Sequence, residues 1–269
     1  MKNRLLGSCI GTEIFDKWRC AMKKSHIAGW ASDSPTPAQL KEFFSQVESG
    51  RITKQMLQSF LRSGQIFQGV DRVRLILGTD FILPDEIAEA RGVSYAEDQI
   101  QHLMDAIPSE DVLHWLKANN FCLLPGPANP MSLLDVRSLE PKLFYSKTGG
   151  WYVDQKEKFA REDKANCEWL AIRKEPVPNS TRKSWNEQVA LLSKDERVPN
   201  AGELSWFITT YYKVRGVRLL ETIYVRTSSM GSDGGHVVLG FFGEYGLGVY
   251  DWDDYVPYGV VGLASARKF

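Results

Sequence analysis

No run of about 18 consecutive apolar residues occurs in this chain of 269 residues, so the sequence predicts no transmembrane helix. The first residues also lack the apolar core of a secretion signal. Leu6-Gly7-Ser8-Cys9 has the form of a lipoprotein cleavage site. A signal needs an apolar core of about 7–15 residues before that site, and here only Leu5 and Leu6 precede Gly7. We therefore expect a cytoplasmic protein without a membrane partner.

Cysteine is scarce, and its spacing excludes a disulfide framework. The four cysteines are far apart and form no C-x-x-C pair: Cys9, Cys20, Cys122 and Cys167. Cys9, Cys20 and His26 come nearest to a metal-ligand set, but their spacing matches no zinc finger or ribbon. The sequence therefore predicts free thiols and no metal site, and it leaves the cofactor unknown.

Neither sign of charge is in excess, since 33 basic residues face 33 acidic ones. Ile87-Ala88 followed by Gly92-Val93-Ser94 is similar to the turn of a helix-turn-helix. Residues 84–118 around it hold eight acids and two bases, however, and such a surface repels phosphates. We therefore expect no nucleic-acid partner.

The first half of the chain carries helical patterns. Thr36 and Gln39 form a capping box, and the apolar residues behind them recur with the spacing of one helix face up to Gly50. Similar patterns predict helices over 53–64, 84–91, 97–107 and 109–116. Residues 72–83 are rich in branched side chains and predict a strand.

The second half changes from helical to strand periodicity. Helices are predicted over 132–140, 181–192 and 200–215, the last capped by Asn200 and Glu203 and ended by Gly216. Trp169–Arg173 is predicted as a strand. Four further strands are predicted as an antiparallel meander over 218–228, 236–242, 246–252 and 258–265.

These elements together predict an α+β fold, with a helical N-terminal half followed by an antiparallel sheet flanked by helices. Three prolines lie between Leu124 and Pro130, which neither a helix nor a central strand accommodates. We therefore predict a mainly helical region over 1–124, a proline-rich connection over 125–131 and an α+β domain over 132–269.

A glycine-rich turn precedes His236. Ser228, Ser229, Ser232 and Asp233 lie within eight residues of this histidine, which raises the question of a catalytic triad. No G-x-S-x-G elbow occurs, and Asp233-Gly234 is typical of a hairpin turn. The glycines also lack the Lys-Ser/Thr ending and the following helix of nucleotide-binding loops. The residues therefore favour a turn over a catalytic or phosphate site.

The last quarter is rich in aromatic residues, with twelve in the 53 residues from Trp206 to Tyr258. At 250–255, rings alternate with carboxylates. Because alternate residues of a strand share a face, the rings are expected to point one way and the acids the other. Such a surface suits a sugar, a cationic group or a basic peptide. An aromatic core with an acidic, solvated edge is the alternative interpretation.

The function predicted from this pattern is that of a non-enzymatic binding or interaction protein, with a protein or a small molecule as partner. The candidate ligand-binding residues are Tyr250, Asp251, Trp252, Asp253, Asp254, Tyr255, His236 and Arg226. One alternative is a carboxylate-dependent hydrolase of a small or glycan substrate, using acids among Glu221, Glu244, Asp251, Asp253 and Asp254 with His236. A structural subunit of an assembly is the other. Whether the protein is an enzyme stays open.

Overall fold

The computed structural model of the protein describes residues 36–53, 57 and 66–269. Contacts divide the chain into two compact units, Met1–Arg62 and Ser63–Phe269. In the first unit, helix α1 spans Pro37–Glu48. Its predicted capping box is confirmed, because the Gln39 N–H donates to Thr36 Oγ1 over 3.3 Å and the Thr36 N–H donates to Gln39 Oε1 over 2.8 Å. The helix predicted over 53–64 lies almost wholly outside the described residues. Cys9, Cys20 and His26 also lie outside them.

The second unit contains the other described elements. Its helices are α2 (Ile66–Leu77), α3 (Pro84–Arg91), α4 (Glu97–Asp105), α5 (Glu110–Ala118), α6 (Leu133–Leu139), α7 (Phe159–Glu162), α8 (Trp185–Val189) and α9 (Ala201–Arg215). Its strands are β1 (Phe121–Pro125), β2 (Met131–Ser132), β3 (Lys164–Ala165), β4 (Trp169–Arg173), β5 (Glu196–Arg197), β6 (Tyr224–Met230), β7 (His236–Gly243), β8 (Gly246–Trp252), β9 (Val261–Leu263) and β10 (Ala266–Arg267).

Two four-stranded sheets organise these strands. The first has the order β1-β4-β10-β5 and the second the order β8-β7-β6-β9, while β2 and β3 form a separate pair. Helices and largely antiparallel sheets together confirm the predicted α+β class. The strand predicted at Trp169–Arg173 is confirmed as β4.

Strands β1 and β4 of the first sheet are buried on both faces. Phe121 and Leu123 of β1 pack with apolar residues of α2, α4 and α5. Cys122 and Leu124 alternate with them and belong to the larger core that contains α9. All five residues of β1 are buried, which explains why the strand reads as a continuous apolar run without alternation.

Helix α9 lies in the larger core, in contact with strands of both sheets. Every residue from Ala201 to Tyr211 is buried, as expected for a helix covered on all sides. Its predicted ends are confirmed: the Glu203 N–H donates to Asn200 Oδ1 over 2.8 Å, and Gly216 adopts the left-handed φ of 70°.

The second sheet is covered by α9 on one face only. Val225, Val237, Leu239 and Val249 belong to the core around α9 and define the inner face. The residues that alternate with them along each strand define the outer face. These include Tyr224, which is paired with Gly240, and Tyr250, which is paired with Val238. This outer face carries the candidate site.

The strand predicted over 72–83 is wrong, because Ile66–Leu77 forms helix α2. Val73 and Leu77 are fully buried four residues apart, whereas Leu75 between them is 87% exposed. This spacing belongs to an amphipathic helix, and the branched side chains had suggested a strand.

The predicted meander is also wrong at its first and last strands. The first begins at Tyr224 instead of Arg218, because Leu220 adopts a φ of +57° that breaks an extended strand. The last, β9, runs parallel to β6 on the opposite edge from β8. Residues 253–260 connect β8 to β9 across the width of the sheet, so β9 enters in the same direction as β6.

The proline-rich segment 125–131 lies within the second unit, and Pro125 ends β1 opposite Trp169. The division into a region before this segment and a domain after it stays a prediction. Among the described residues, none of the helices is both long and apolar enough to cross a membrane.

Candidate functional site

The residues at 250–252 alternate between the two faces of the second sheet, as expected from their sequence. The rings of Tyr250 and Trp252 both contact Tyr224, at 5.6 Å and 5.3 Å between ring centroids. The carboxylate of Asp251 lies on the other side of the strand, near Gly231. The rings and the acid are therefore separated by the sheet.

Five rings on the outer face form one contiguous cluster, which we call the aromatic face: Tyr224, Phe241, Tyr250, Trp252 and Tyr258. Phe241 lies 4.6 Å from Tyr224, and Tyr258 lies 4.8 Å from Trp252, between ring centroids. Phe241 is 40% exposed and Tyr250 is 38% exposed. Burial raises the pKa of Tyr224 to about 12, with smaller contributions from Tyr250 and Tyr145, so its phenol stays neutral at physiological pH.

A β-bulge directs Phe241 onto this face. The register between β7 and β8 shifts between Gly240 and Gly243. Phe241 has the positive φ of 46°, which a bulky residue rarely adopts. Phe242 is consequently turned inward, fully buried with its ring 5.3 Å from that of Tyr212, while Phe241 is exposed. Strain of this kind persists where the surroundings impose it, and it clusters at functional sites.

Arg226 lies fully buried beside the aromatic face and is bonded to protein oxygens. One guanidinium nitrogen donates to Gln188 Oε1 over 2.9 Å, and another donates to the Asp253 carbonyl over 2.9 Å. The same nitrogens also reach the carbonyls of Lys183 and Val256, over 3.3 Å and 3.4 Å. Burial lowers the pKa of Arg226, and the charge of Asp254 opposes this. Arg226 therefore anchors the segments around α8 and residue 253 to the sheet.

His236 is enclosed by a carboxylate and an indole. Its Nδ1 lies 2.6 Å from Asp254 Oδ2, and its backbone N–H donates to Asp254 Oδ1 over 3.2 Å. The ring of Trp185 stacks on the imidazole with centroids 3.5 Å apart and planes inclined by 18°. Three of the predicted site residues, Arg226, His236 and Asp254, are therefore brought together, and they hold α8 and the loop after β8 in place.

A second group of acids lies at the glycine-rich turn, on the other side of β8. Burial raises the pKa of Asp251, and the adjacent Asp233 raises it further. The pKa of Asp233 is lowered, first by the Gly235 N–H and then by Asp251. Asp251 therefore binds a proton more readily than Asp233 does. Buried Glu157 accepts from the Ser232 N–H over 2.9 Å and from its hydroxyl over 2.5 Å.

The described part of the chain contains no group of three or more His, Cys, Asp or Glu residues arranged to hold a metal ion. Ser229, Ser232 and Asp233, which lie near His236 in the sequence, have partners elsewhere. The Ser229 hydroxyl donates to Asp163 and accepts from the Ala201 N–H. Gly231 and Gly235 close the predicted turn through a 2.9 Å backbone hydrogen bond.

The remaining predicted residues lie in segments that flank the strands of the second sheet. Tyr255 is 85% exposed, and its N–H donates to Asp253 Oδ1 over 2.8 Å. Glu221 and Glu244 are exposed in the segments that precede β6 and join β7 to β8. The acids named for a hydrolase therefore occupy separate settings: Asp251 pairs with Asp233 on one side of the sheet, and Asp254 pairs with His236 on the other.

Sequence reasoning did not select Tyr224, Phe241, Tyr258 or Trp185. A glycine inside a strand, as at Gly240 before the Phe241-Phe242 pair, is a sign of a bulge and was the available signal for Phe241. Trp185 is far from His236 in sequence, and only the tertiary fold brings it there. Comparison of the chain with protein-family models, curated proteins and solved structures finds no match.

Proposed function

We propose that this chain is a binding protein that holds its partner on the aromatic face of the C-terminal sheet. The observation that carries the proposal is the exposed ring of Phe241, which a strained bulge turns away from the core and onto Tyr224. A phenyl ring normally favours the interior. The exposure of Phe241 at a conformational cost therefore supports a role for this ring in binding.

The surroundings of the aromatic face suit binding in a second way. Arg226 fixes the loop after β8 through the carbonyls of Asp253 and Val256. Trp252 is half-buried between Tyr224 and Tyr258. The rings are thus held before a partner arrives, which lowers the entropy lost on binding. Aromatic residues with apolar bodies and polar tips are typical anchors of protein interfaces.

The two alternatives stay predictions. A hydrolase with two carboxylates needs both of them on one cleft, whereas Asp251 and Asp254 face opposite sides of the sheet. The His236–Asp254 pair is the only part of that arrangement that the described residues bring together. A structural subunit would use exposed rings in the same way as a binding protein. This alternative therefore differs only in that the partner stays bound permanently.

A pair of ring variants tests the proposal. Wild-type protein is first screened by thermal shift against oligosaccharides, polyamines and peptides of different charge. Each stabilising ligand is then titrated into a Phe241→Asn, Tyr250→Ala variant. Asn tolerates a positive φ, so the bulge is expected to persist. Because both rings would be lost from the interface, we expect the affinity to fall about tenfold or more.

The matched control is Phe269→Ala, which removes another exposed ring, 62% accessible, outside the aromatic face. This control is expected to bind as wild type does. If every stabilising ligand binds the double variant as tightly as wild type, the aromatic face is not the binding surface.

A further inference from the structure

The segment that builds the aromatic face has an unbalanced charge. Residues 219–260 contain a single arginine, Arg226, and six acids: Glu221, Asp233, Glu244, Asp251, Asp253 and Asp254. Arg226 is fully buried and bonded to protein oxygens, so this segment places no accessible cation beside the rings. The whole chain is neutral, and the excess of acids is therefore a local property of this segment.

The exposed acids lie at both ends of the ring cluster. Asp253 follows Trp252 directly, where β8 ends. Glu244 lies in the turn that joins Phe241 and its bulge to β8, beside Tyr245, which is 72% exposed. The faces of aromatic rings carry negative electrostatic potential, and carboxylates nearby add to it. Both components attract a positive group and repel an anionic one.

Arg182, a basic residue outside this segment, lies close to the aromatic face. The backbone N–H of Arg182 donates to the Tyr258 carbonyl over 2.9 Å, and its Nε lies 3.6 Å from the position that a Cβ would take on Gly259. Arg182 is thus located at the Tyr258 end. The stronger attraction for a positive ligand group is therefore expected at the opposite end, near Phe241, Tyr250 and Glu244.

From this arrangement we infer that the partner of the aromatic face is a cationic segment of another protein, bearing lysine or arginine side chains. The inference rests on the proposed function and adds the chemistry of the partner. Aromatic rings would hold the long aliphatic stems and the charged ends of these side chains, while Glu244 and Asp253 would pair with the charges at the rim.

The experiment uses a labelled peptide of about ten residues that alternates Gly and Lys, long enough to cross the sheet. Matched peptides with Glu or with Gln in place of Lys, and a neutral oligosaccharide, are measured in parallel by anisotropy or competition with the full chain. We expect the Lys peptide to bind about tenfold or more tightly than the Glu peptide, and less tightly as salt rises from about 0.05 M to about 0.3 M.

Charge variants locate the effect. Glu244→Gln with Asp253→Asn is expected to weaken binding of the Lys peptide, because the rim charges are lost. Arg182→Gln is expected to tighten it, because a like charge is removed. Glu89→Gln, which neutralises an exposed acid on α3, is the control and is expected to leave binding unchanged.

The outcomes separate the two claims. If the Gln peptide or the sugar binds and is lost in the Phe241→Asn, Tyr250→Ala variant, while the Lys peptide does not bind, the partner class is wrong and the binding face stands. If the Lys peptide binds equally well to the ring variant, its attachment is unrelated to the aromatic face and the inference is overturned. If the binding of no probe depends on the rings, both this inference and the proposed function are overturned.

Discussion

At the scale of single residues, Arg226 connects more of the site than any ring does. Its guanidinium donates to the Gln188 amide oxygen and to the carbonyls of Lys183 and Asp253, which belong to two chain segments outside β6. A buried cation of this kind is held by its partners, and those partners in turn depend on it.

Replacing Arg226 by Met is therefore expected to destabilise the protein strongly. The change would leave the buried Gln188 amide and the Asp253 carbonyl without their donor, at a cost of about 3–5 kcal/mol. Urea unfolding followed by circular dichroism measures this loss. Arg182→Gln, which removes an exposed arginine from the neighbouring segment, serves as the control and should change stability by less than about 0.5 kcal/mol. An equal, small effect for both variants would show that the Arg226 bonds contribute nothing.

The carboxyl pair at the turn gives a prediction that depends on pH. The folded-state pKa of Asp251 is raised, by burial first and by Asp233 second, so the folded state loses stability as pH rises above the ordinary aspartate value of about 4. Asp251→Asn removes this loss and still offers an N–H to Asp233. We expect the variant to be more stable than wild type at pH 7, with the gain shrinking as pH falls toward about 3.5.

Unfolding free energies of wild type and Asp251→Asn across that pH range test the assignment. Asp105→Asn, an exposed carboxylate on α4, provides the comparison and should show no such trend. A gain that stays constant with pH would mean that the charge of Asp251 has no part in it.

At the scale of elements, the bulge in β7 decides which phenylalanine is exposed. A Cβ on Gly240 would lie 2.1 Å from the Ile223 carbonyl oxygen, a contact that the backbone cannot accommodate without moving. Gly243 ends the same irregularity, and a Cβ there would meet nothing within 4 Å. The same substitution can therefore be compared at both glycines, since an added Cβ would clash at Gly240 and meet nothing at Gly243.

Gly240→Ala is expected to destabilise the protein by about 1–3 kcal/mol and to displace the aromatic face, whereas Gly243→Ala should have little effect. Thermal unfolding measures the first difference, and near-ultraviolet circular dichroism of the rings measures the second. If both variants behave alike, the close approach at Gly240 is not what sets the bulge.

Local signals predicted several elements correctly, and the pairing of distant segments did not follow from them. The caps at Thr36 and Asn200 and the stop at Gly216 depend on residues within one turn of each other. The parallel pairing of β9 with β6 depends instead on how residues 253–260 cross the sheet. Composition alone led to the wrong prediction of a strand over 72–83, because it ignores the helical spacing of Val73 and Leu77.

The candidate site was predictable to a similar extent. Alternation alone placed Tyr250 and Trp252 on one side of β8 and Asp251 on the other, because it is a property of any regular strand. The role of Arg226 as an anchor, and the stacking of Trp185 on His236, required contacts between segments about 40 to 50 residues apart. No local pattern in the sequence contains that information.

At the scale of the whole molecule, the layers of the second unit explain why the aromatic face is available. Strands β1 and β4 of the first sheet are covered on both faces, and α9 is covered on every side from Ala201 to Tyr211. The outer face of the second sheet is covered at one end by the segments that Arg226 holds, while Phe241 and Tyr250 at the other end contact solvent. A partner on this face would complete the layer that the described residues leave open.

The central claim is that partners bind at this face, and the indole N–H signals of the eight tryptophans test it most directly. Isotope-labelled protein would be titrated with the Gly-Lys peptide, or with whichever ligand stabilises it, and followed by NMR. Trp252 lies in the aromatic face, whereas the indole of Trp206 is buried and donates to the Pro125 carbonyl over 3.0 Å. We predict that the Trp252 signal shifts on binding and the Trp206 signal does not. Saturable binding that shifts other indoles and leaves Trp252 unchanged would contradict the account.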